Sequence, residues 1–115
     1  MRSLLILLSI LLCSCSSILV SPEGQHDRTS KLYKYAYSNC IFWYLKGKKY
    51  DTEDIRSISA GIVENSNISL NEFAEISLFI KDYSPEIPTK NNIDGSLNRC
   101  FYLEDSKELK EIIHK

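Results

Sequence analysis

Arg2 precedes a nine-residue run, LLILLSILL, at positions 4–12. A positive charge ahead of a short apolar core is the pattern of a secretory signal peptide. The run is too short to cross a bilayer as a helix, which takes about 20 residues. It constrains the fold by subtraction. With positions 1–20 read as a cleaved signal, the 115-residue chain keeps roughly 95 to 100 residues for its core, enough for one domain and too few for a multidomain enzyme or a large cofactor fold. At 43% apolar and 25% charged, with four glycines and three prolines, the composition is that of a globular protein rather than a disordered or collagenous one.

The processing point has two readings. Leu12-Cys13-Ser14-Cys15 resembles a bacterial lipoprotein box, with a small residue before Cys15. On that reading Cys15 carries lipid and tethers the protein to a membrane face. The other reading is ordinary cleavage near Ser16, which gives a soluble periplasmic product. Either way Cys40 and Cys100 are left for the fold. A lone pair of cysteines in an oxidising compartment is expected to form a disulfide. Closing a 60-residue span, it is worth about 4 kcal/mol in the chain-entropy model. The alternative is a nucleophilic thiol, which needs a base nearby. His26, in the polar lead-in, and His114, the penultimate residue, are poorly placed for that.

Residues 21–28 are polar and turn-rich, the composition of a flexible lead-in. Residues 29–115 form the folded domain. A helix is expected over 29–46, where Leu32, Ala36, Cys40 and Trp43 recur with Tyr33, Tyr37, Ile41 and Tyr44 at three- and four-residue steps, and Gly47 ends it. A second begins at Asp51-Thr52-Glu53-Asp54 with an aspartate cap and carries Ile55, Ile58 and Ile62 as its apolar stripe. Gly61 within it either admits a close neighbour or lies near the helix end. Ser69-Leu70-Asn71-Glu72 is a capping box opening a third helix, with Phe73, Ile76, Ile80 and Tyr83 on one face. Pro85 and Pro88 impose an extended segment, and 87–94 reads as a loop. A fourth helix starts at Ser96 with Leu97, Cys100 and Phe101 at core spacing. A cap between Asp105 and Glu108 starts a last one, with Leu109, Ile112 and Ile113. The expected fold is an all-α bundle of four to five helices stapled by one disulfide.

Charge is unevenly spread. Positions 23–50 carry net +4, positions 51–86 net −6, and positions 87–115 balance. The whole chain stands at −1, and at −2 without Arg2, so nothing provides the basic footprint of a nucleic-acid binder. No glycine-rich phosphate loop, paired-cysteine metal signature or nucleophile elbow is present, and no cofactor or metal is expected. A small exported helical protein of this kind acts by binding. Asp54, Glu53, Glu64, Asn65 and Asn67, on the acidic second helix and its following turn, are the expected contact residues, and the 87–94 loop is the second choice.

The order of features resembles the immunity proteins that neutralise type VI secretion amidase effectors, in the family-four branch. Cys100-Phe101-Tyr102-Leu103-Glu104-Asp105-Ser106-Lys107-Glu108-Leu109 is similar to that family's cysteine followed by Ser-Lys-Glu-Leu. Tyr37-Ser38-Asn39-Cys40-Ile41 resembles its first-helix cysteine motif, and the stretch from Ile80 to Pro85, with Tyr83, its tyrosine-and-proline segment. Ser57-Ile58-Ser59-Ala60 matches the family's small-residue second helix loosely. The resemblance implies a periplasmic homodimer whose partner is a papain-like cysteine amidase that cuts peptidoglycan stems, inhibited by occlusion of its groove. Tyr35, Phe42 and Trp43 would then serve either the dimer surface or the core. The alternative function is a small envelope lipoprotein with a structural or assembly role.

Overall fold

The first helix, α1 (Pro22–Gly47), is the axis on which the rest of the chain is assembled. In a computed structural model that describes residues 22–88 and 93–115, it is followed by α2 (Glu53–Glu64), α3 (Leu70–Lys81), α4 (Gly95–Asn98), a 3-10 helix (Arg99–Asp105) and α5 (Lys107–Ile113). The described residues form no strand. Leu32, Ala36 and Cys40 of α1 meet Phe73, Ile76 and Ile80 of α3, Cys100 and Leu103 of the 3-10 helix, and Leu109 and Ile113 of α5 in one core. The protein is thus an all-α bundle. A disulfide between Cys40 and Cys100 joins α1 to the 3-10 helix, with Cα atoms 5.6 Å apart. Both sulfurs are spent in that bond, which removes the thiol-nucleophile reading of this pair.

The lead-in from Pro22 onward is helical, which corrects the expectation of a flexible segment over 21–28 and a helix start at residue 29. Proline suits the first helical position, where its missing N–H has no partner to lose. One turn on, Asp27 and Lys31 pair at 3.0 Å along the helix. Arg28 then ties the segment down: its guanidinium pairs with Glu72 at the start of α3 and donates to the carbonyl of Ile113 at the end of α5, at 2.9 Å. The start of α1 therefore owes its order to partners 44 and 85 positions away. The run read as a signal peptide and Cys15 lie outside the described residues, as do positions 89–92 of the second-choice loop.

At its other end α1 continues through Gly47 and stops in a Schellman motif. Tyr50 N–H donates to the Leu45 carbonyl at 2.9 Å and Lys49 N–H to that of Lys46 at 3.1 Å. The residue in the left-handed conformation is Lys49, at φ 61, and not the glycine.

The capping box of α3 is present in full: Ser69 Oγ accepts from Glu72 N–H, and the Glu72 carboxylate accepts from Ser69 N–H. Phe73, Ile76 and Ile80 are buried, as their spacing predicts, and Tyr83 donates to the Tyr102 carbonyl at 3.2 Å. Two later caps differ by a residue or two from expectation. Asp94, not Ser96, caps α4, and Ser106, not Asp105, caps α5 by accepting from Leu109 N–H at 3.2 Å. After one turn the fourth helix tightens into the 3-10 form. Side chains three apart eclipse there, so Cys100 and Leu103 share the buried side and Phe101 turns out, 74% exposed. Phe101 is therefore not the core residue that α-helical spacing assigns.

Candidate docking surface

The acidic helix α2 differs from its neighbours in burying no residue. It rests on α1 through Ile62 and Val63, which pack against the core from outside. A serine pair brings the two helices together. Ser38 Oγ and Ser59 Oγ share a hydrogen bond of 2.7 Å, and whichever hydroxyl accepts in it donates to the helix carbonyl behind it, that of Tyr35 for Ser38 or of Ile55 for Ser59. Ser38 is the one buried polar residue among those described, and these bonds offset the cost of taking its hydroxyl out of water. The pair held no signal in the sequence, since a serine inside a helix is as consistent with solvent.

The five expected contact residues all lie exposed, at the two ends of α2. Glu53 and Asp54 form its acidic first turn. The start is capped one residue earlier than the helix boundary suggests: Asp51 Oδ1 accepts from Glu53 N–H at 2.9 Å, while Thr52 makes no side-chain cap. Glu64 is the last helical residue and Asn65 the cap after it, with Asn65 Nδ2 donating to the Gly61 carbonyl at 2.8 Å and its own carbonyl accepting from Lys31 at 2.9 Å. Asn67 follows in the turn, on the rim of a polar cleft of about 320 Å³ between that turn and the start of α1.

These residues are thus not one cluster. Eleven residues of helix make about three turns and 16 Å, which sets Glu53 over Glu64 and Asp54 over Asn65 on a common face. Ser57, Ile58, Ala60 and Gly61 occupy the space between. Ile58, expected in the apolar stripe, is 54% exposed and stands in this outer face. A Cβ built on Gly61 meets nothing within 4 Å, so no described residue uses that glycine for close approach. Glu53, Asp54 and Glu64 take part in no ion pair among the described residues, whereas Asp27, Glu72, Glu75 and Asp94 are each paired with a cation. The result is a strip with carboxylates at one end, a carboxylate and amide at the other, small residues between them and one apolar side chain near the middle.

The aromatic residues of α1 divide between interior and rim. Tyr35 turns inward, sharing a 2.8 Å hydrogen bond with Ser77 and meeting the Phe73 ring edge-on at 4.8 Å. Phe42 and Trp43 are half-buried, with the Lys46 ammonium 5.0 Å from the Trp43 ring centre. The described residues contain no group of His, Cys, Asp and Glu side chains able to hold a metal ion, and no described helix is long and apolar enough to cross a membrane. Comparison with known proteins finds no matching family model, no similar curated protein and no similar solved structure.

Proposed function

We propose that this chain is a periplasmic immunity protein that binds a type VI secreted, papain-like peptidoglycan amidase and occludes its substrate groove with the outer face of α2. The observation that carries the reading is that face: carboxylates at both ends that enter no ion pair among the described residues, and an exposed Ile58 near the centre. Occlusion asks for shape and charge complementarity rather than chemistry, and a polar rim around one apolar anchor is how such contacts are built. A stable complex would bury on the order of 1,600 Å² in total, which a strip three turns long supplies only together with its flanking turns. The Cys40–Cys100 bond supports a location outside the reducing cytoplasm. The homodimer implied by the family resemblance belongs to the same proposal, and sedimentation of the purified protein would report it.

Co-purification with the amidase tests the reading, together with protection of cells into whose periplasm the amidase is sent. Reversing Asp54 and Glu64 to lysine is expected to weaken the complex at least tenfold, about 1.4 kcal/mol. Unchanged affinity would remove α2 as the contact. Absence of any complex, with no protection, would remove the immunity function and leave the envelope-lipoprotein role as the better reading.

A further inference from the structure

The same 3-10 geometry that turns Phe101 outward builds a groove on another side of α1. Phe101 and Glu104 stand three residues apart and eclipse on the outer edge of the 3-10 helix, both exposed. Against them α1 sets Tyr37 and Ile41, and α4 sets Leu97, enclosing about 420 Å³ above the disulfide. Tyr37 and Glu104 also line an adjoining hollow of about 310 Å³, with His26, Tyr33 and Lys34. Neither Glu104 nor Lys34 belongs to an ion pair among the described residues. An apolar slot, the Glu104 carboxylate and the Lys34 ammonium, neither charge in an ion pair among the described residues, therefore follow one another along this side of α1.

We propose that this groove binds an extended segment of a partner protein, about six residues long, with its charges matched to that order. A large apolar side chain would lie against Phe101, Ile41 and Leu97, a basic one against Glu104 and an acidic one against Lys34. The length follows from α1: from His26 to Ile41 is about 22 Å at 1.5 Å per residue, the reach of six to seven residues of extended chain at about 3.3 Å each. The charge order selects the occupant. A purely apolar ligand would cover the Glu104 carboxylate without replacing its water, a costly burial. An arginine there would instead form a two-pronged bond to the carboxylate beside the Tyr37 ring. The site is separate from the amidase reading, because Tyr37 points about 100° around α1 from Ser38, where α2 is seated.

A random seven-residue peptide library displayed on phage, selected on the oxidised full chain and counter-selected on a Phe101→Asp/Glu104→Lys variant, tests this. Both positions are exposed, and circular dichroism checks that the variant keeps its helices. Enriched peptides are expected to carry a large apolar residue with arginine or lysine two or three positions away, and to bind the variant at least tenfold more weakly. They should shift the amide resonances of Tyr37, Ile41, Leu97 and Phe101. Should the double variant fail to fold, Glu104→Gln is expected to abolish the preference for a basic residue while keeping that for the apolar one. The proposal is overturned if no peptide is enriched, if enriched peptides lack the basic residue or bind both proteins equally, or if the shifts map to α2.

Discussion

Lys49 holds a left-handed backbone conformation that costs an ordinary residue about 1–2 kcal/mol, and that glycine adopts without penalty. Glycine loses more entropy on folding, so Lys49→Gly is expected to raise stability by a net 0.5–1 kcal/mol or so, read as a higher urea midpoint, while Lys49→Ala leaves it nearly unchanged. Three phenols make a second residue-scale prediction. Burial raises the pKa of Tyr33, Tyr37 and Tyr83 above the ordinary 10.0, with Glu104 adding to it at the first two and Asp105 at the third. Above pH 10 the unfolded chain gives up these protons while the folded one keeps them, so their contribution is complete below pH 10 and is lost as pH rises beyond it. Urea midpoints should therefore fall steadily from pH 10 upward, and less steeply in Tyr37→Phe. A flat profile would contradict the assignment.

Among the elements, α2 and α3 are helices of equal length with opposite roles. α3 buries Phe73, Ile76 and Ile80 behind a complete capping box, whereas α2 buries nothing. Backbone amides of α2 should accordingly exchange with solvent well before those of α3, by local opening rather than global unfolding. Removing the cap with Ser69→Ala should cost about 1 kcal/mol. The 3-10 helix makes the sharpest contrast within one element. Leu103→Ala is expected to cost about 2–5 kcal/mol as a buried truncation, while Phe101→Ala, two residues away and exposed, should stay within about 0.5 kcal/mol. Equal losses at the two positions would mean that the segment is an ordinary α-helix. Sequence spacing alone could not have made this distinction, because Leu97, Cys100 and Phe101 satisfy an α-helical period. The switch to three residues per turn is imposed where Cys100 must reach Cys40 and Leu103 must reach the core.

For the whole molecule, the disulfide and Arg28 are two of the long-range ties that hold the flanking elements to α1. Reducing Cys40–Cys100 should lower stability by about 4 kcal/mol in the chain-entropy model. Exchange should accelerate chiefly in residues 93–105, and less in the α1–α3 pair, which keeps the Tyr35–Ser77 bond and the Arg28–Glu72 ion pair. Thiol titration and hydrogen exchange with and without reductant would measure both effects. What could be read from the sequence was what local chemistry decides. The capping box at Ser69 announces a helix, the prolines stop one, apolar residues recur at helical period, and the two cysteines of the helical domain find each other. The exposed ends of α2 were legible for the same reason, since charges at a helix terminus stay in water whatever the fold. The tertiary structure decided what depends on distant partners. It made residues 22–28 helical because Arg28 finds Glu72 and the Ile113 carbonyl, and it turned Ile58 and Phe101 outward because Ile62 and Val63 of α2, and Cys100 and Leu103 of the 3-10 helix, take the places against the core. No window of neighbouring residues contains that information, because a side chain's direction is chosen by the surface it is packed against.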